Sequence, residues 1–436
     1  MAFGRDPNAG LSLRKNFSWT FAGNLLTAGC QWGMMVALAK LGSPEKVGRF
    51  ALGYAVTAPV IMFANLHLST VLATDARRSH PFGNYLALRS TTSSLAVLVI
   101  IGIAVFSRYS MDTALVILAI GGAKVFEALS DIYYGLLQHH ERMDRIAKSA
   151  MMKGPLSLAA LGGAFYLTRS ILWAAIALMV AFGIVLLFYD SRSTKLISKV
   201  MKHRTESSVG DDTIRAYLRP CWQFGPLCNL AGIALPLGIV MLFISLNVNI
   251  PRYFIERYLG EKDLGIFAAM TYPMAAGSLL VSALAASAIP RLSKYFAAGN
   301  VSAFRKLLLR LVAFGGLIGA LGIIVVKVAG HWILNLFYGP EYAAHNAIFM
   351  WIAAASAMHF VQWFLGDGLT AARYFKVQPL LLGMVTVITV LASLWLIPAY
   401  GLKGAAYVLL VGNSVLTLGI LIADIFAIGR LQRSKG

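Results

Sequence analysis

Three charged residues inside one strongly apolar stretch hold the most chemistry in this sequence. Lys124, Glu127 and Asp131 lie in the run from Ala123 to Tyr134. Their spacing of i, i+3 and i+7 places all three on one face of a helix. If that helix crosses a bilayer, each charge costs about 2.5–3.5 kcal/mol at its centre, and three facing lipid cost about 8–10 kcal/mol. That is comparable with the whole stability of a folded domain. The three must therefore face protein or a wet cavity. One reading is a cavity that binds charge or relays protons, with Glu127 and Asp131 as the carriers of any coupled ion. The other is a structural ion pair, Lys124 with Glu127, that fixes helix contacts.

A second constellation is Asn247-Val-Asn249-Ile-Pro251-Arg252-Tyr253-Phe254-Ile255-Glu256. A guanidinium beside amide side chains can hold a phosphate by paired hydrogen bonds. The alternative is an interfacial Arg252–Glu256 pair one turn apart with an aromatic anchor. Asn24, Gln31, Asn65, His67, Asn229, Gln362 and Asp367 are further polar residues within apolar runs, and they are expected to be buried. Lys124, Arg252, Asn24, Asn249 and Asp367 are the candidates for a substrate path. Pro59, Pro226, Pro236 and Pro273 are expected to break helices mid-span, which suits bending during a transport cycle.

The signatures of soluble enzymes are missing: no P-loop, no HExxH, no GxSxG and no zinc-ligand spacing. No catalytic residue, cofactor or metal is expected. His139-His140 adjoins a charged loop and reads as solvated, and Asp211-Asp212 is a weak acidic pair. Cys30, Cys221 and Cys228 are too few for a disulfide framework and lack a CxxC spacing. Gly315, Gly319 and Gly322 are spaced to let one helix pack closely on a neighbour.

The elements that must position these residues follow from composition. Of 436 residues, 58% are hydrophobic and only 13% charged, against about 25% charged in an ordinary soluble domain. This excludes a disordered chain and a disulfide-stapled secreted domain, and leaves a polytopic, all-α membrane protein. A bilayer core needs about 20 mostly apolar residues per helix. Twelve such runs lie near residues 16–40, 47–72, 86–106, 112–138, 146–168, 170–190, 221–248, 260–288, 306–328, 343–368, 374–396 and 402–428. The fifth and tenth are the weakest. The polar opening from Met1 to Lys15, and the long apolar run after it, read as no cleavable signal.

The formal net charge is +20. In a soluble protein that would suggest nucleic acid; in a membrane protein its source is the excess of Lys and Arg in cytoplasmic loops. Of the 38 such residues, 27 fall on the side of the amino terminus and 10 on the other, with Lys124 inside a span. Both termini are therefore expected in the cytoplasm, and no nucleic-acid partner is expected. A polar break divides the chain into a six-helix bundle at 1–195, a cytoplasmic linker at 196–219 and a second six-helix bundle at 220–436. The halves also resemble each other. Gly48-Arg-Phe-Ala-Leu-Gly-Tyr54 and Gly265-Ile-Phe-Ala-Ala-Met-Thr-Tyr272 are offset by 217 positions, each just past a polar outer turn. Six spans separate them, so the repeat is parallel, a pattern of transporters built from two bundles.

An ordered set of segments is similar to the O-antigen and polysaccharide flippases, in the superfamily that includes multidrug-and-toxin extruders and lipid II flippases. The set comprises Asn16-Phe-Ser-Trp-Thr-Phe-Ala-Gly-Asn24, the Gly48–Tyr54 block, Gly135-Leu-Leu-Gln138 with Glu141-Arg-Met143, Ser245 to Ile255, Gly265-Ile-Phe267 with Ile289-Pro-Arg291, Phe337 to Tyr342 and Tyr400 to Ala406. The likeness spans most of the chain. It implies two six-helix bundles around a cavity that opens alternately to each side. The implied substrate is an undecaprenyl-diphosphate-linked oligosaccharide, carried to the outer leaflet of the bacterial inner membrane for polysaccharide or O-antigen biosynthesis. Lys124 and Arg252 match the family's expected cavity cations. Membrane lipids and other polysaccharide-assembly membrane proteins are the further partners it implies. Lipid II flippases typically carry two extra helices, so the chain is expected outside that branch. Two alternatives stand beside this reading: an ion-coupled multidrug-type exporter, which wants a net acidic cavity, and a membrane polymerase or glycosyltransferase, which wants a larger extramembrane loop.

Overall fold

In a computed structural model of the chain, residues 13–75, 80–107, 109–193, 219–372, 374 and 377–433 are described. Residues 196–218 of the expected linker, with the Asp211–Asp212 pair, lie outside them. Every regular element among the described residues is a helix. In chain order they are α1 (Leu13–Leu41), α2 (Pro44–Ala64), α3 (Leu68–Thr74), α4 (Phe82–Phe106), α5 (Met111–His139), α6 (Met143–Thr168) and α7 (Ile171–Val185), which runs into a π-turn at Leu186–Asp190. The second half holds α8 (Phe224–Leu259), α9 (Glu261–Thr271), α10 (Ala275–Ala297), α11 (Val301–Phe337), the one-turn α12 (Pro340–Ala343), α13 (Asn346–Ala371), α14 (Val377–Tyr400) and α15 (Leu402–Arg433).

Ten helical stretches among the described residues are long and apolar enough to cross a bilayer. The weak tenth span, α13, is one of them; the weak fifth, α6, is not, and neither is α1. In α1, Asn16, Ser18, Thr20, Asn24, Thr27 and Gln31 dilute the apolar run. The outward faces carry exposed Leu98, Phe106, Trp395 and Phe426, the surface a hydrocarbon solvent requires and water would not tolerate. The protein is a multi-pass membrane protein.

The described residues form two compact units. One takes residues up to Met34 and from Val56 to Leu242; the other takes Met35–Ala55 and residues from Phe243 onward. The first has a core of Leu66, Phe82, Tyr85, Ile132, Leu136 and Leu230. The second is built on Val281, Phe304, Leu308, Phe360, Phe364 and Leu369. Helices in lipid gain little from hydrophobicity against each other, so close backbone approach matters more. In the second unit Gly315 sits against the Phe360 carbonyl and Gly319 against Ala357. The expected third small contact fails: Gly322 has nothing within 4 Å.

The prolines behave differently from expectation. Pro59 and Pro236 lie inside continuous helices, and Pro226 falls in the first turn of α8, where the missing N–H costs nothing. Only Pro273 interrupts, inside a 3₁₀ turn at Tyr272–Met274. The break between α2 and α3 has no proline. Leu66 and His67, between α2 and α3, adopt φ of 47° and 52°, a left-handed conformation that costs a non-glycine residue of order 1–3 kcal/mol.

Candidate functional site

The first unit brings the predicted charges together and pairs them. Lys124 Nζ donates to Glu127 Oε2 at 2.6 Å, so the ion-pair geometry of the sequence reading is present. Asp131 takes a different partner: Arg89 Nη2 donates to its Oδ2 at 3.0 Å, and Arg89 Nη1 donates to Asn65 Oδ1 at the α2–α3 break. Arg89 is fully buried in α4. By count it belonged with the loop charges expected in the cytoplasm; the structure corrects that. A fork-shaped guanidinium can hold a carboxylate and a carbonyl at once, which explains how the strained break is pinned.

A second network lies beside it, and its residues escaped the sequence reading. Lys153 Nζ is 3.1 Å from Asp190 Oδ2 and 2.8 Å from the Tyr134 hydroxyl. Ser149 Oγ donates to Asp190 Oδ1 at 2.5 Å and meets the Tyr134 hydroxyl at 2.7 Å. The ammonium also lies 5.0 Å above the Tyr134 ring. Asp190 is 0% exposed and stands at the end of the π-turn, a helix defect that often marks a functional position. The available signal was a charge within α6 and another just past α7, but Lys153 counted as a loop charge and Asp190 as a span end. At the start of α6, Arg142 grips both oxygens of Asp144, at 2.9 and 3.0 Å. Burial pushes that carboxyl up, but the hydrogen bonds and charge of Arg142, with Arg145 and Lys148, outweigh it and hold the group below the usual carboxylate range.

The second unit carries an open cavity of about 390 Å³, lined among others by Asn247, Arg252, Tyr272, His359, Gln362 and Asn413. Arg252 Nη1 donates to Asn249 Oδ1 at 3.1 Å, and Asn249, nearly fully buried, donates to the Ser245 carbonyl at 2.9 Å. This chain orients the guanidinium on a cavity that Tyr272 and Met274 of the 3₁₀ interruption also line. The alternative Arg252–Glu256 pair is absent: no carboxylate lies in ion-pair range of Arg252 among the described residues. No Asp or Glu is among the described residues that line the cavity. Asn413 donates its amide N–H to the Ala355 carbonyl at 2.9 Å, and Asn247 donates to the Leu382 carbonyl at 3.4 Å. Asn413, His359 and Tyr272 escaped the sequence reading, because a single polar residue in an apolar helix is usually interhelical glue.

Asp367 is not on that cavity. Its Oδ2 is buried without a hydrogen bond, and the adjacent Gly368 faces Asp424, whose two oxygens are buried and equally without one. The burial expected for Asn24, Gln31 and Asn229 is corrected: all three are exposed in their own unit, because the helix faces that carry them point away from its core. No group of three or more His, Cys, Asp or Glu able to hold a metal occurs among the described residues.

Residues 13–296 match the family model described as "Polysaccharide biosynthesis protein". The chain is 26% identical over 409 residues to the capsular polysaccharide biosynthesis protein CapF of Staphylococcus aureus, covering 92% of this chain and 96% of that protein. Among solved structures it is similar to a multidrug resistance MATE family transporter of the MOP superfamily in its inward-facing conformation, with TM-score 0.72, 13% identity, and 98% and 97% of the two chains covered. A MOP superfamily transporter from Pyrococcus furiosus aligns with TM-score 0.63 at 13% identity, covering 96% of each chain. At such identities the likeness establishes the fold alone.

Proposed function

We propose that this chain, which belongs to the polysaccharide biosynthesis protein family, is a flippase rather than an enzyme. Its substrate is an undecaprenyl-diphosphate-linked oligosaccharide, moved by alternating access from the cytoplasmic to the outer leaflet of the inner membrane for capsule-like or O-antigen polysaccharide. One observation carries this reading. Arg252 stands in a cavity wall that holds no carboxylate, oriented by a neutral amide. A positive wall of this kind suits a diphosphate. The cations of the first unit have carboxylate partners, Lys124 with Glu127 and Arg89 with Asp131, and suit a supporting role. If an ion is coupled, Glu127 and Asp131 are its carriers, since protonating either releases its cation.

Physics makes such a path necessary. Moving one unpaired hydroxyl into an oil-like phase costs about 4–8 kcal/mol, so a few sugars reach tens. A barrier of ~25 kcal/mol alone allows a rate of only about 10⁻⁶ per second. A polar route lets the head group cross while the lipid tail stays in the bilayer. Two diphosphate charges moving outward gain about 4–5 kcal/mol per 100 mV of inside-negative potential.

The multidrug transporters that share the fold favour a second reading, an ion-coupled exporter of small cations. That activity wants an acidic cavity, and the lining here is carboxylate-free. The test is complementation of a strain lacking its own polysaccharide exporter. Arg252→Ala is expected to cut surface polymer at least tenfold with protein level unchanged, and Arg252→Lys to recover part of it. Full polymer from Arg252→Ala would remove the diphosphate role.

A further inference from the structure

Beyond the guanidinium, the cavity of the second unit has, within a mainly apolar lining, a polar wall that a diphosphate leaves unused. We infer that this wall recognises the sugar attached to the diphosphate, and that Asn413 and Gln362 set its specificity. The inference rests on the flippase reading and narrows it to a site and a chemistry.

Three side-chain amides from three helices border the cavity: Asn247 on α8, Gln362 on α13 and Asn413 on α15. For two of them chemistry dictates the orientation. Asn413 and Asn247 each point their NH₂ at a backbone carbonyl, of Ala355 and Leu382. A carbonyl only accepts, so the amide nitrogen must be the atom beside it. What remains in each case is an oxygen that can only accept. The Asn247 Oδ1 and Gln362 Oε1 oxygens are buried with no hydrogen-bond partner. A buried acceptor left unmatched is costly, and native structures keep few of them, so each calls for an explanation. Neither oxygen opens on the cavity as the side chains stand; a ligand that brings donors supplies a partner once the amide turns toward it. Gln362 takes part in no hydrogen bond among the described residues, so its amide is free to turn toward such a ligand.

The rest of the wall narrows the ligand further. Thr271, Ser278, Ser356 and Thr389 add hydroxyls, and Tyr272 and His359 add ring faces. His359 is itself held edge-on to Trp363, with ring centroids 5.7 Å apart. Amide oxygens that need donors, rings that accept a C–H face and one guanidinium that needs an anion describe a hydroxyl-rich ring next to a phosphate. A lipid tail would leave every amide oxygen unmatched, and a small organic cation would meet Arg252 as a like charge. Inorganic phosphate would satisfy the guanidinium and leave the amides empty. The volume of about 390 Å³ lies within the range of small-molecule pockets and admits one sugar and its phosphate. A site built to hydrogen-bond hydroxyls rejects an analogue lacking them far more strongly than an apolar pocket discriminates by size.

The test uses the full-length protein in proteoliposomes with two probes. One is a short fluorescent prenyl diphosphate carrying glucose; the other is the same lipid carrying fully O-methylated glucose. Arrival of each in the outer leaflet is read by bleaching with membrane-impermeant dithionite. The wild-type protein is expected to move the hydroxylated probe at least tenfold faster. Asn413→Leu and Gln362→Leu are each expected to shrink that ratio at least threefold. Gln362 makes no structural hydrogen bond, so Gln362→Leu decides alone if Asn413→Leu does not assemble. If neither probe moves, the flippase reading fails and this inference with it. If the wild-type protein moves both probes equally, or the assembled variants keep the full ratio, the sugar wall is overturned while the flippase reading stands.

Discussion

Lys153 and Asp190 show what a charge means when lipid surrounds the fold. Both side chains are nearly or fully shielded, 9% and 0% exposed, and each has a second polar neighbour in Tyr134 or Ser149. Removing one member of such a pair leaves an uncompensated buried charge, which costs about 3–5 kcal/mol, whereas replacing both by apolar groups is often neutral. Lys153→Met is therefore expected to lower the melting temperature of the detergent-purified protein sharply. Lys153→Met combined with Asp190→Leu should restore most of the loss. A double variant as unstable as the single one would mean that the Tyr134 and Ser149 hydrogen bonds, and not the ion pair, hold this junction. Lys124 and Glu127 form a shorter pair, 2.6 Å against 3.1 Å, but are more open, at 21% and 42% exposure. Their contribution to stability is correspondingly smaller.

At the scale of the element, the repeated block explains itself through one contact. Gly48 opens onto the carbonyl of Glu261, and Gly265 opens onto the carbonyl of Pro44. Each carbonyl belongs to the residue four before the other glycine, so the contact is reciprocal, as a pseudo-twofold requires. Both segments belong to the second unit. The crossing is tied at its edge by Arg49 Nε to Glu261 Oε2 at 2.6 Å and by the Tyr253 hydroxyl donating to the Ala55 carbonyl. A side chain at either glycine would press on backbone, which cannot move aside as a flexible side chain can. Gly48→Ala and Gly265→Ala should each destabilise by about 1–3 kcal/mol, read by thermal unfolding. Gly316→Ala is the control, since a methyl there would touch only Val361, at 4.0 Å, and it is expected to be silent. Similarity of the two blocks was legible because glycine, aromatic and small residues recur at one offset. That the matched glycines face each other was not, because a linear pattern says which positions are small but not which backbone fills the space.

For the whole molecule, the charge asymmetry yields an orientation. Arg89 and Lys153 leave the loop count for the interior, but 25 Lys and Arg against 10 remain once two are taken from 27. Positive-inside bias acts on charges near span ends during insertion, so this remainder still leads to the expectation that both termini lie in the cytoplasm. A cytoplasm-active reporter fused after Gly436 should be active, and an export-dependent one inactive; the reverse would invert the proposed direction of transport. By itself the sequence determined the membrane class, the all-helical architecture and the parallel repeat, and it offered the Lys124–Glu127 pairing as one of two readings. Each depends on composition or on a spacing within one helix, and such patterns survive in one dimension. Only the tertiary structure decided that Arg89 answers Asp131, that Lys153 answers Asp190, that Arg252 has Asn249 and not Glu256 for a partner, and that Asn413 borders the same cavity. Those partners are dozens of residues apart or differ by one helical turn. In a bilayer an unpaired polar group has no water to turn to, so packing alone settles which neighbour each one meets.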